Sequence, residues 1–181
     1  VSALLCNWEA FYASVFKREV NFSGISVPAH QAGFDRLIVV AEGMTLNVAF
    51  HACRDSFPVW SYCCDDLDKA VKTNDREPNQ SYAGWVRDRV EADEELKNLS
   101  ANQLREKEIQ GVTLLERLLM ELKFQEETGD YLDKRMVNLC SGSRCSDCYV
   151  PDVYWFDRKL CVYRYHPDDW GGYLRSRQAV S

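Results

Sequence analysis

Cys145-Ser-Asp-Cys148 has the spacing at which two thiolates share one zinc ion, and Cys140, Cys161 or His166 could complete a tetrahedron. A second pair at matching spacing is missing, so the alternative it supports is a small zinc-binding structural domain. Thiol chemistry is a further candidate. A reactive cysteine needs a basic, partly exposed setting, and the local pairings are His51 with Cys53 and His166 with Cys161. Neither brings the third, orienting group of a nucleophile–base set. His30 reads as a loop residue. The eight cysteines also include Cys6, Cys63 and Cys64. Without a secretory signal they read as free thiols in a reducing compartment, since irregular spacing and an adjacent pair suit a disulfide framework poorly.

Binding chemistry carries the stronger signal. From Cys145 to Tyr173 the chain holds eight aromatics in 29 residues, with Lys159 as the single lysine and no Glu, Gln or Met. A solvated strand pair would be rich in Lys and Glu. Tyr and Trp instead give large contact area at low entropic penalty, the composition of binding surfaces. The series predicted to face outward is Cys145, Asp147, Tyr149, Asp152, Tyr154, Phe156, Cys161, Tyr163, Tyr165 and His166. Aspartates and cysteines among the rings would make poor core material. Trp170 apart, this outward set uses only residue types that codons ending in cytosine can encode, the pattern left when AAC codons are randomised at adenine.

The elements that must position these residues follow from periodicity. Pro151, Val153 and Trp155 alternate with Asp152, Tyr154 and Phe156; Asp157-Arg158-Lys159 can turn the chain; Leu160 and Val162 then alternate with Cys161, Tyr163 and Tyr165. This is a hairpin with one core face and one outward face. Upstream, Leu4, Leu5, Trp8, Phe11, Tyr12, Val15 and Phe16 predict an amphipathic helix over 3–18. Leu37 to Ala41 predicts a buried strand, and Thr45 caps a helix that stops before Pro58. Val59 to Tyr62 and Tyr82 to Val90 read as strands, with a polar loop over 72–80 between them. Thr113-Leu-Leu-Glu116 has capping-box spacing and opens a leucine-striped core helix that Gly129 ends. Two main helices flanking antiparallel strands make an α+β fold.

Length and charge bound the rest. A chain of 181 residues fits one domain with a substantial core. The net charge of -6 argues against direct nucleic-acid binding, which needs a basic face. Glu91, Asp93, Glu94 and Glu95 read as a solvated turn. No apolar run is long enough to span a membrane. Ala3 to Phe16 is broken by Asn7 and Glu9 and lacks the basic flank of a signal peptide, so display on a surface or virion would run through another protein.

Leu139-Cys-Ser-Gly-Ser-Arg144, Val150-Pro151, Val153, Trp155, Leu160, Val162, Pro167-Asp168 and Leu174-Arg-Ser-Arg177, running on to Ala179-Val-Ser181, resemble the variable repeat of diversity-generating retroelement variable proteins. The likeness is greatest to the archaeal and candidate-phylum type. Gly33-Phe-Asp-Arg-Leu37, Ala41-Glu-Gly-Met-Thr45 and Trp85-Val-Arg-Asp-Arg-Val-Glu-Ala-Asp-Glu-Glu-Leu96 resemble the constant part of the same proteins.

That resemblance implies a single C-type lectin-like domain over 1–181, with an N-terminal helix within 1–20 and a variable region over 138–181. An error-prone reverse transcriptase rewrites selected codons there while scaffold residues stay fixed. The positions that match variable slots are Cys145, Asp147, Cys148, Tyr149, Asp152, Tyr154, Phe156, Asp157, Cys161, Tyr163, Tyr165, His166, Asp169, Trp170, Gly171 and Tyr173. Arg164 stands where a scaffold Trp is expected, and Trp170 departs from the cytosine-ending set. The implied function is non-catalytic binding of a protein or glycan-bearing surface ligand, with no cofactor. Formylglycine-generating enzymes share the wider fold and use cysteines, which keeps a thiol or redox enzyme as an alternative. Glu77-Pro78-Asn79 is similar to the sugar-binding tripeptide of calcium-dependent lectins. The matching Trp-Asn-Asp is missing downstream, so the stretch is read as a loop of turn formers.

Overall fold

A computed structural model describes residues 1–62 and 66–181, so Cys63 and Cys64 lie outside the described residues. Helix α1 (Ser2–Val15) buries Leu5, Trp8, Phe11 and Tyr12, one stripe at helical spacing. Its polar tips are satisfied by β1 (Arg36–Val40). Trp8 Nε1 donates to the Leu37 carbonyl at 3.1 Å, and the Tyr12 hydroxyl donates to the Val39 carbonyl while accepting from the Ala41 N–H. Helix α2 (Leu46–Ser56) starts at Thr45, whose side chain accepts from the Val48 N–H. There follow β2 (Val59–Ser61), the short α3 (Leu67–Ala70), β3 (Val71–Asn74), β4 (Tyr82–Val86) and α4 (Ala101–Glu106).

Helix α5 (Leu114–Thr128) carries the expected capping box between Thr113 and Glu116, and it ends on Gly129 at φ 71°, a left-handed conformation natural to glycine. The remaining strands are β5 (Val137–Leu139), β6 (Ser143–Cys145), β7 (Val150–Phe156), β8 (Lys159–Tyr165) and β9 (Leu174–Arg175). The fold is a mixed α+β one. Among the described residues β2-β8-β7-β5-β9 form a five-stranded sheet, while β1 pairs with β4 and β3 with β6. Strands β7 and β8 are antiparallel, joined by Asp157 and Arg158 at φ 48° and 60°. Two consecutive left-handed residues make the turn whose twist suits a tight hairpin.

The core runs from Leu5 to Ala179 through the β1–β4 pair, α2, α5 and the inner side of the large sheet. Helix α5 is buried on nearly all sides, so its charges need internal partners. Arg117 pairs with Glu121 at 2.6 Å and with Asp133 at 2.9 Å, and Arg177 joins Asp133 at 2.8 Å while donating to the carbonyls of Arg89 and Val90.

Local pattern misjudged several segments. The 72–80 loop is partly strand, because β3 pairs with β6, which local alternation did not signal. The strand predicted over 82–90 stops at Val86, and the first helix stops at Val15. The acidic run is not simply solvated: Asp93 is buried, accepting from Arg87 at 2.6 Å and from the Gln178 N–H at 2.8 Å. Among the described residues no helix is long and apolar enough to cross a membrane.

Candidate binding face

The β7–β8 hairpin separates two sets of side chains. On the inner face Val153 lies opposite Val162 and Trp155 opposite Leu160, and these residues pack into the main core. On the outer face Asp152 lies opposite Tyr163 and Tyr154 opposite Cys161. Strand β2 extends that face in parallel register, bringing Trp60 beside Cys161, and the Tyr62 N–H bonds to the Val162 carbonyl just beyond.

The outer rings touch in series. Trp60 lies almost parallel to Tyr163, at 13° with centroids 6.2 Å apart, and Tyr62 meets Tyr163 at 4.7 Å. Tyr163 continues to Tyr165 and Tyr165 to Tyr173, each at 6.4 Å. Beside this row Arg164 sits over the rings of Tyr62 and Tyr149 and forms an ion pair with Asp147. The Tyr149 ring also meets His166 edge-on at 5.6 Å. Ring-on-ring and guanidinium-on-ring contacts of this kind fix side chains that would otherwise be mobile.

The residues expected to fill variable slots fall into three groups. Asp147, Cys148, Tyr149, Phe156, Asp157, His166, Asp169, Trp170 and Tyr173 are exposed, whereas Tyr154, Tyr163, Tyr165 and Gly171 are half-buried. Cys145, Asp152 and Cys161 are buried, which corrects the expectation that the whole series faces solvent. Each has a physical reason. Cys145 is drawn into the main core, in register with Val71. Ala101 of α4 packs with Leu139, Val150 and Tyr165 over the end of the outer face where Asp152 lies. Cys161 is enclosed by its register neighbours Trp60 and Tyr154.

Burial sets the chemistry of these groups. It is the main cause holding the Tyr154 and Tyr165 phenols above their ordinary range; the nearby Cys161 adds to the effect at Tyr154 and the Tyr173 hydroxyl bond at Tyr165. Both therefore stay neutral hydrogen-bonding groups at physiological pH. The thiols of Cys53, Cys140 and Cys161 are likewise pushed up by burial, away from reactive thiolate character. His51 and Cys53, two apart on α2, do not face each other. Among the described residues no three His, Cys, Asp or Glu side chains converge as metal ligands. His30 bonds to Asp35 at 2.8 Å, in the loop where it was expected.

Two residues of this face escaped the sequence reading. Local pattern reads Trp60 and Tyr62 only as part of a short strand, although Val59-Trp-Ser-Tyr62 alternates aromatics with other residues in the same way as the later hairpin. Comparison of this chain with known protein families, with curated proteins and with solved structures finds no match.

Proposed function

We propose that this chain is a non-catalytic binding protein of the diversity-generating retroelement type, a C-type lectin-like domain whose ligand meets the outer face of β7–β8 and the loops beside it. One observation carries the reading: the hairpin divides support from display. The main-chain ladder and the inward Val153, Leu160 and Val162 hold its shape, while Tyr154, Phe156, Tyr163 and Tyr165 project to the other side. Side chains on that side can be exchanged without altering register. Helix-mounted variation would be less well insulated from packing.

The mixed α+β class agrees with the coarse expectation, while three long helices (α1, α2 and α5) stand where two were expected and the large sheet includes the parallel pairs β2–β8 and β5–β9 besides its antiparallel hairpin. The ring row crosses two strands and a loop, a breadth that suits a protein or glycan-bearing surface better than a small molecule in a deep pocket. Tyr149, Tyr154, Phe156, Tyr163, Tyr165, Trp170 and Tyr173 serve as anchors. Asp147, Asp157, Asp169 and His166 supply polar selectivity, whereas Asp152 is buried and supports the face from within.

Sequencing the DNA that flanks the coding region tests the class. The reading requires a neighbouring reverse transcriptase and a near-copy of the last codons that differs only at adenines. Flanking DNA with neither would end it.

A further inference from the structure

The aromatic surface extends beyond the variable region. Trp60 is 44% exposed and Tyr62 51%, both supplied by the segment around β2, and Tyr163 is the joint that connects them to the variable rings. Among the described residues the Trp60 indole N–H and the Tyr62 and Tyr163 hydroxyls donate to no protein acceptor. A row of rings with spare N–H and O–H donors is complemented by a chain that offers apolar rings and carbonyls without partners. Polyproline II meets both conditions: its pyrrolidine rings stack on aromatic faces, and its carbonyls have no internal hydrogen bonds. A segment of regular helix or sheet has already paired its carbonyls.

Charge adds direction. In the segment that leads from Tyr165 to Tyr173, His166 to Tyr173 includes Asp168 and Asp169 and no lysine or arginine, and the Asp168 side chain is 67% exposed, with one oxygen accepting from Asn102 Nδ2 at 2.6 Å and the other 3.8 Å from His166 Nδ1. The guanidinium of Arg164 is already engaged by Asp147, Tyr62 and Tyr149. A cation on the ligand would complement that segment. Resting on the reading of this face as a ligand surface, we infer that the occupant is a proline-rich segment of a partner protein. It lies in polyproline II conformation along Trp60, Tyr163, Tyr165 and Tyr173, with an arginine or lysine beside Asp168, and Trp60 and Tyr62 are fixed anchors that serve whatever the neighbouring slots contain.

A random-peptide display library panned on the whole chain, with the Tyr163→Ala chain as counter-selection, tests this. The expected yield is proline-rich peptides with a basic residue at one end. Calorimetric titration of a synthetic copy should show Trp60→Ala weakening binding by about tenfold or more, as for a central aromatic anchor. Trp60→Phe keeps a ring but loses the indole N–H and should weaken binding several-fold. Asp168→Asn should weaken the peptide that carries the basic residue and spare a copy lacking it. Unchanged melting temperatures of these exposed-site variants separate lost binding from lost folding. Tyr163-dependent peptides without a proline-rich run would overturn the inference and leave the binding reading standing. No Tyr163-dependent peptide at all would remove the support for both. Proline-rich peptides indifferent to Trp60→Ala would overturn the anchor assignment.

Discussion

The indole Nε1 of Trp155 donates to Glu121 Oε1 at 3.1 Å, joining the inner face of the hairpin to a carboxylate that has no solvent exposure. The same oxygen accepts from the Leu132 N–H, and the other carboxylate oxygen pairs with Arg117. Arg117 leads to Asp133 and Asp133 to Arg177, so two guanidiniums and two carboxylates balance inside the protein. Buried ion pairs of this kind add little net stability, because desolvation offsets their attraction. Their directionality nevertheless ties the sheet that carries the candidate face to one position on α5.

Truncating the first link should be costly. Trp155 packs on Tyr131 at 3.9 Å and on Phe57 at 5.4 Å besides its bond to Glu121. Trp155→Ala is expected to destabilise by about 3–5 kcal/mol. Trp155→Phe retains much of the ring packing and should lose roughly 1–3 kcal/mol, from one hydrogen bond to an ionised acceptor that keeps the Leu132 N–H. Urea unfolding of the two variants beside the parent chain measures both.

At the other end of the network, Arg177 serves three acceptors at once: Asp133 and the carbonyls of Arg89 and Val90. Arg177→Met removes the donor and leaves a buried carboxylate short of charge compensation, at an expected loss of about 3–5 kcal/mol. Arg177→Lys should rescue only part of it, since one ammonium cannot reproduce the planar fork. Full rescue by lysine, read from denaturation midpoints, would show that charge alone matters here.

What was legible depended on the range of the interaction. Thr45, Thr113, Glu116 and Gly129 act within a few residues, and each lies where its chemistry predicted. The hairpin period was equally local. Asp93 was misjudged because its partners Arg87 and Gln178 come from both directions along the chain, the second from far away. Asp152 followed the outward alternation correctly, yet α4 covers that end of the sheet, and no local pattern says which helix will pack there. Trp60 joined the face only through parallel pairing of β2 with β8, a long-range contact.

Acid should reveal the surface part of the acidic run. A side-chain bond to Arg89 is the main cause that holds the Glu95 carboxyl down at about 2, from an ordinary 4.5. The folded state then binds fewer protons than the unfolded one across that interval. The contribution is present above 4.5 and is lost as pH falls through about 2. Both partners are substantially exposed, so screening limits it to about 1 kcal/mol or less. Glu95→Gln should therefore lower the melting temperature slightly at neutral pH and low salt, with the difference closing on acidification or in concentrated salt. A difference that grows toward low pH would contradict the assignment.

Asp152 and Phe156 share the outward side of β7, yet one is 0% and the other 70% exposed. Sidedness is therefore graded along the strand: the tip near the turn is free, while the end under α4 is enclosed. A residue in the enclosed part must first satisfy the fold, since a buried polar group depends on its partners. Asp152→Ala is expected to destabilise by about 1–3 kcal/mol, whereas Phe156→Ala should stay within about 0.5 kcal/mol, as for most surface changes. The Asp152 charge also raises the phenols of Tyr154 and Tyr165, behind burial as the leading cause. Asp152→Asn should then let both ionise at somewhat lower pH in an ultraviolet titration. Equal stability losses at 152 and 156, with no movement of the phenol titrations, would mean that enclosure of that end does not restrict which side chain position 152 can hold.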